Sequence, residues 1–472
     1  MGGGCLSVSL SADAMLSAIA VRAFDQLVVE ILCRLPPKAL IRFKCVSKHW
    51  YSLITEVCVP RISPQPLSGI CKIFVGYYGN TTSHYSPMPT PTPLDKEFVK
   101  DCPWENIPAS LKCDFSPAAY EQCDVCNGLS LFFRPSINLY YLRNYTTQQF
   151  VLFPPPPAVP SFGFKHKRGK KHKRVEKMES EVYAIFSALA FDPKESPHFK
   201  VVRFDDKSPK LKPGVCTIKI FSSETCEWVE YVVEIGPPSI INAASLVNHC
   251  VYLNHALYRL SMSLHLVRYD LWENNVVVTT IKLPQFESWT AESTLGDCSV
   301  RKWSKMGVNN DLGCIGSSLE RRLYYARNDA KKNVLIWILC DCDEYDAPYW
   351  VVTHSIDTLE LVNSKLSIDC VPKDSLWSYQ LSGVLKVNSL VREFVPQLRP
   401  VAFDPTSHAV ILCALNITLW YHLDSKKLEV ISHAWMWPNV DGVLPSAVFP
   451  FSRCLVPLKD LGWNHHRLDT GN

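Results

Sequence analysis

A chain of 472 residues, 47% hydrophobic and 20% charged, has the material for two or more globular domains with a substantial core, which excludes a disordered or fibrous protein. Its formal net charge of +4 is local, because Lys165 to Arg174 (KHKRGKKHKR) holds seven Lys or Arg whose removal would turn the balance negative. The 19 cysteines are odd in number and scattered through apolar runs at no framework spacing, which points to reduced thiols in the nucleus and/or cytoplasm.

Residues 1–22 are small and mildly apolar, with no basic start, and Ser7, Ser9, Ser11 and Asp13 are too polar for a bilayer span, so they read as a flexible leader. Gly2 and Cys5 raise the question of lipidation, but Leu6 stands where the myristoylation pattern needs Ser or Thr. From Phe24 to Ile54 the apolar residues fall at helical spacing in three blocks. The first is Leu27, Val28, Ile31, Leu32 and Leu35, the second Leu40 and Phe43, the third Val46, Trp50, Leu53 and Ile54. Asp25 is placed to cap the first block. Pro36 and Pro37 part it from the second, because proline lacks a backbone donor and disfavours the helical region in the residue before it, so Leu35 ends one helix and Pro37 opens the next. Three short helices over residues 23–60 are too little chain to bury a core, so the unit packs on a partner or on the rest of the chain.

The order Leu27, Glu30, Ile31, Leu32, Arg34, Leu35, Pro36, then Lys38, Leu40, Arg42, Phe43, Cys45, Val46, Ser47, Lys48, Trp50, then Leu53 and Ile54 resembles the F-box of plant F-box proteins. That family usually begins the motif with Leu-Pro, where this chain has Ala23 and Phe24. The resemblance implies docking on the Skp adaptor, and through it a cullin, in a Skp-cullin-F-box ubiquitin ligase. It assigns adaptor binding to Leu27, Ile31, Leu32, Leu35, Pro36, Leu40, Val46, Trp50, Leu53 and Ile54.

Residues 61–113 carry prolines at 64, 66, 87, 89, 91 and 93 among Ser and Thr and read as an extended connector, strand-like only from Ile70 to Tyr78. From about residue 114 to 460, short aromatic and β-branched runs alternate with turn residues. Leu139 to Phe153, Thr217 to Ile235, Leu264 to Leu283, Val334 to Ile356 and Ile417 to His433 each read as strand, turn, strand. One phrase occurs twice, Leu189-Ala-Phe-Asp-Pro193 and Val401-Ala-Phe-Asp-Pro405. Hairpins recurring over such a length predict a β-propeller, which protects the edges an open sheet would expose, with a pair of sandwiches as the rival. The expected fold is therefore mostly β with a small α N-terminal domain, and residues 461–472 form a tail that includes His465 and His466. Cys126-Asn127-Gly128-Leu129 with Leu131, the segment Leu189 to Pro193 with His198, Lys200, Val201 and Val202, and Ile220 to Thr225 with Trp228 resemble the F-box-associated, kelch-like β-propeller domain of plant F-box proteins.

Chemistry-bearing motifs are sparse. Gly163 through Gly169 to Lys170 has one residue too many between its glycines for a phosphate loop, and Lys171 stands where a metal-binding hydroxyl is needed. Cys123 and Cys126 form a C-x-x-C, but Cys102 and Cys113 upstream are not at a zinc-ligand spacing. No His-Glu-x-x-His, Gly-x-Ser-x-Gly or dinucleotide fingerprint occurs, so no catalytic residue, cofactor or metal is expected. Asn80, Asn144 and Asn416 head Asn-x-Thr triplets and read as unused acceptors.

The reading is a non-catalytic substrate receptor whose helical unit holds the adaptor and whose β-domain recruits an unidentified target protein, with no membrane partner. Target binding is assigned to Phe286, Trp289 and Trp303, aromatic types enriched at interface hot spots, within the long stretch from Gln285 to Asn310. Two rivals stand beside it. One is a nuclear nucleic-acid-binding regulator acting through Lys165, Lys167, Arg168, Lys170, Lys171, Lys173 and Arg174, a run whose other readings are a nuclear-import signal and a solvated surface loop. The other is a small-ligand-binding propeller that uses its central pocket. Seven like charges are not buried without partners, so limited trypsin digestion of the native protein is expected to cut within Lys165–Arg174 before any other site. Survival of this run while other sites are cut would refute the solvated loop.

Overall fold

The computed structural model describes residues 24–62, 65–75, 81–88, 121–134, 139–156, 186–205, 215–235, 246–272, 275–284, 312–341 apart from 319 and 330–332, 347–361 apart from 359, 398–433 apart from 415–416, 447–458 and 461. Helix α1 covers residues 24–33, α2 runs Pro37–Phe43 and α3 Lys48–Ser52. Pro36 is extended (φ −55°, ψ 143°) and Pro37 is the first residue of α2, as proline chemistry requires. Ser47 caps α3, its Oγ accepting from Trp50 N at 3.1 Å. Asp25 lies inside α1 and not ahead of it, and its carboxylate receives His49 Nε2 at 3.0 Å. The third helix continues through a π turn, Leu53–Cys58, into α4, Val59–Ile62. The widened turn stands immediately before Pro60, whose ring would clash with the carbonyl of a regular preceding turn.

Six antiparallel sheets make up the rest of the described residues. With strands numbered along the chain, blade II holds β3 Glu121–Cys126, β4 Leu129–Arg134, β5 Leu139–Asn144 and β6 Gln149–Phe153. Blade III holds β7 Phe186–Ala190, β8 Lys200–Asp205, β9 Val215–Ser222 and β10 Glu227–Glu234. Blade IV holds β11 Leu246–Leu253, β12 Ala256–Ser261, β13 His265–Leu271 and β14 Val276–Lys282. Blade V holds β15 Cys314–Ser317, β16 Leu323–Asn328, β17 Val334–Cys340 and β18 Tyr349–Ile356, and blade VI holds β19 Arg399–Asp404, β20 Ala409–Ala414, β21 Ile417–His422 and β22 Leu428–His433. Blade I is three-stranded, in the order β2 (Thr81–Pro87), β1 (Leu67–Val75), β23 (Ala447–Ser452).

The innermost strands β23, β3, β7, β11, β15 and β19 contact one another in turn and return to β23, so the sheets close into a six-bladed propeller and not a sandwich pair. Each hairpin legible in the sequence is the third and fourth strand of a blade, β5–β6, β9–β10, β13–β14, β17–β18 and β21–β22. Apolar faces of neighbouring blades supply the core, as where Val202, Ile218 and Ile220 of blade III meet Leu257, Val267 and Tyr269 of blade IV. Middle strands β5 and β12 are buried at every position because a blade covers each face, whereas outer β10 is mostly exposed or half-buried. Across the seam between blades III and IV, the buried Arg259 guanidinium stands 4.6 Å and 4.7 Å from the rings of Phe186 and Phe204.

The stretch 61–113, read as a connector, contains β1 and β2, so the propeller begins near residue 67 and not at 114. The prolines misled because they flank the strands. Pro64 and Pro66 precede β1, and Pro87 closes β2, an outer strand that does not need every ladder donor. A chain beginning at residue 114 would leave β23 unpaired, whereas one beginning at residue 63 keeps blade I whole. The first is expected to melt at a clearly lower temperature than the second by circular dichroism. Equal melting would refute a structural role for blade I.

Candidate functional site

The helical unit is apolar on two sides. Val28, Val29 and Leu32 of α1, with Leu40, Ile54, Cys58 and Val59, join one continuous cluster with Leu129, Leu131 and Phe133 of blade II and with Cys454, Leu455 and Val456 beyond β23. On a neighbouring face of α1, Phe24, Leu27 and Ile31 recur at helical spacing and are 64%, 65% and 63% exposed. Phe43, Val46 and Tyr51 add exposed apolar surface on the turns that follow.

The ten residues assigned to adaptor binding therefore divide. Leu27, Ile31 and Val46 are exposed, Leu35, Trp50 and Leu53 are half-buried against the cluster, and Leu32, Leu40 and Ile54 are interior. Pro36 is exposed at the break between helices. Phe24, Phe43 and Tyr51 stand exposed beside the residues assigned to binding, and their aromatic character beside a helical stripe is a signal readable in the sequence.

The second feature is the axis of the ring. A cavity of about 110 Å³ receives lining from all six innermost strands, and the turns between first and second strands build one mouth. Asn127 and Gly128 (φ 45° and 82°) make the blade II turn, and a Cβ on Gly128 would stand 2.4 Å from Ser452 O, so only glycine lets this turn pack on blade I. Asp192 and Asp404, the aspartates of the repeated phrase, occupy the same place in blades III and VI, each accepting a backbone N–H two residues on (Lys194 N and Thr406 N, 2.8 Å each).

Arg321, on the blade V turn, latches three blades. Its Nη1 donates to Asp192 Oδ2 at 2.6 Å, its Nη2 to Glu195 Oε1, and its Nε to Asn254 Oδ1 at 2.9 Å. Glu195 Oε2 also accepts from Tyr252 OH at 2.7 Å. Deeper in the channel, Asp124 is 3% exposed, its Oδ1 accepting from Val125 N at 2.8 Å and its Oδ2 from Leu189 N at 2.7 Å. Burial outweighs these two bonds and raises its pKa from the ordinary 3.8 to about 7. Burial likewise lowers His249 from 6.5 to about 4. Burial first, then the nearby Asp124, pushes the Cys126 thiol well up, and its Sγ donates to Phe191 O at 3.2 Å, a structural role.

No group of three or more His, Cys, Asp or Glu arranged to hold a metal occurs among the described residues. Lys165–Arg174, Phe286, Trp289, Trp303, Cys102 and Cys113 lie outside the described residues. Asn144 is fully buried and donates from Nδ2 to Cys454 O (3.1 Å) and Val456 O (2.8 Å), a structural use of one triplet. No helix among the described residues is long and apolar enough to cross a membrane.

Comparison with known proteins adds the following. A family model described as F-box domain matches residues 25–61, and one described as F-box protein At3g26010-like, beta-propeller, matches residues 105–394. The chain is 26% identical over 260 residues to F-box protein At3g26010 of Arabidopsis thaliana, covering 52% of this chain and 51% of that one. To F-box protein At5g07610 of the same plant it is 29% identical over 207 residues, covering 39% and 38%. The chain thus spans about half the length of these relatives or less. A solved structure titled YCF48 bound to D1 peptide aligns over 83% of this chain and 90% of that one at 8% identity, with a TM-score of 0.33, too low to carry any argument.

The channel groups have a signature in the pH dependence of stability. Native Asp124 keeps a proton that the unfolded chain has released above about pH 4, so its stabilisation is full below that pH and is lost as pH rises through about 7. His249 works in the opposite sense, since the unfolded imidazole gains a proton below about 6.5 that the native one refuses, and stability is lost as pH falls toward 4. Asp124→Asn is therefore expected to steepen the fall of melting temperature toward acid relative to wild type. His249→Phe is expected to steepen the fall toward pH 7. Parallel thermal-unfolding profiles for all three proteins would refute both assignments.

Proposed function

Because the chain belongs to the F-box protein At3g26010-like β-propeller family, we propose that it is the substrate-recognition subunit of a Skp-cullin-F-box ubiquitin ligase. Its helical unit holds the Skp adaptor, and its propeller holds the protein to be ubiquitinated. The observation that carries this reading is the bare stripe of Phe24, Leu27 and Ile31 within the segment matched as an F-box. A surface helix that has already buried one apolar stripe against its own chain has no intramolecular use for a second.

In this reading the chain performs no chemistry. Holding adaptor and target on one body turns the meeting of target lysines with the ubiquitin-conjugating enzyme into an intramolecular event at raised effective concentration. The helical unit shares a core with blade II and the segment after β23, so the two sites are joined by packed structure.

Retention of purified Skp adaptor by the full chain tests the proposal. Wild type is expected to retain it. The double change Leu27→Ala, Ile31→Ala is expected to weaken retention at least tenfold with the melting temperature unchanged, since both side chains are largely exposed. Leu32→Ala, at a position 1% exposed, is expected to cost about 2–5 kcal/mol of stability instead. Failure of wild type to retain the adaptor would overturn the reading.

A further inference from the structure

Adaptor docking leaves the propeller's channel without a use. A cavity of about 110 Å³ has room for several water-sized groups. Sites for drug-sized molecules run from roughly 300 Å³ upward, so the channel is too small for a nucleotide or a length of peptide backbone, and it suits one short chain of four or five heavy atoms. Val125, Leu189, Val251, Leu253 and Ile315 give it apolar walls that suit methylene groups.

Among the polar side chains of the lining, Asp124 and His249 stand out. Asp124 accepts two backbone N–H bonds, while a carboxylate has sites for about four, and no Lys or Arg among the described residues pairs with it. His249 is enclosed by protein yet keeps accessible surface on the cavity it lines, and its ring nitrogens have no hydrogen-bond partner among the described residues. The strands that carry them, β3 and β11, approach each other across the ring although a blade lies between them.

Among the described residues, the surrounding charges leave this pair without a cation. Cys126 holds its proton, Asp192 and Glu195 are taken by Arg321, and Lys194 is exposed at the rim. Arg321 itself is spent on Asp192, Glu195 and Asn254.

We propose that the channel binds a primary alkylammonium group, its stem against the apolar walls, its head paired with the Asp124 carboxylate and donating to the His249 imidazole. Such a group is either the end of a lysine side chain offered by a target protein or a small free amine. Pairing with a cation also gives the buried carboxyl a reason to ionise, since alone it holds its proton up to about pH 7. The proposal does not depend on adaptor docking, and adaptor retention is read separately.

Titration calorimetry of the full chain tests it with four probes. Pentylammonium chloride and Nα-acetyl-lysine methylamide carry the head group, and 1-pentanol and Nα-acetyl-norleucine methylamide are neutral counterparts. The ammonium probes are expected to bind and the neutral ones to bind at least tenfold more weakly. Affinity of the ammonium probes in wild type is expected to fall about tenfold from pH 8 to pH 6, as Asp124 takes up its proton while the amine stays charged. Asp124→Asn is expected to lose both the affinity and this pH dependence, and the wild-type pH profile stands as a test even if that variant does not fold. Binding of the lysine derivative at least as tight as pentylammonium assigns the site to a target side chain, and binding of pentylammonium alone assigns it to a free amine. Neutral probes binding as tightly, a flat pH profile, undiminished binding by Asp124→Asn, or no binding by either ammonium probe would overturn the proposal.

Discussion

The antiparallel pairing of β1 with β23, in which Ile70, Cys71, Lys72 and Ile73 face Pro450, Phe449, Val448 and Ala447, is the constraint on which the rest of the structure depends. It joins the two ends of the chain in one sheet. Without it the apolar faces of blades VI and II would lack the blade that separates them, and the ring would have two open flanks. Closure also fixes the helical unit, because α4 ends at Ile62 and β1 begins at Leu67. The segment beyond β23 then returns over blade II, with Cys454 N donating to Thr146 Oγ1 (3.2 Å) and Leu458 N to Gln149 Oε1 (3.0 Å). Contacts so distant in sequence carry a high loop-closure cost and slow the search for the native ring.

The helical unit shows how one short sequence serves two surfaces. Adjacent residues on α1 do opposite things, since Val28 and Leu32 anchor the unit while Leu27 and Ile31 stay bare. The same hydrophobic effect drives both outcomes, and which stripe is satisfied within the chain is decided by the seat that Leu455 and Val456 provide.

Along the axis, electrostatics follows depth. At the mouth, where solvent reaches, Arg321 neutralises Asp192 and Glu195 by direct ion pairs. In the interior, where an unpaired charge is costly, burial moves Asp124 up and His249 down, so each sheds its charge over the range between about 4 and 7.

The sequence alone determined what is local. Proline placement set the break between α1 and α2, the ordered motif from Leu27 to Ile54 marked the F-box, and strand-turn-strand periodicity marked the outer hairpin of five blades. The repeated Phe-Asp-Pro phrase proved to be one turn used twice, because an aspartate that caps its own turn needs only its next neighbours. The inner strands were harder to see, as β7 (FSALA) and β15 (CIGS) are short and rich in small residues where strands converge on an axis. Only the tertiary structure decided that β1 and β2 complete a blade with the far end of the chain, which stripe of α1 is spent internally, and that Asp124, His249 and Arg321 share a channel. Each depends on contacts between residues far apart in the chain, and a periodicity of two or of three and a half carries no information about which distant face a side chain will meet.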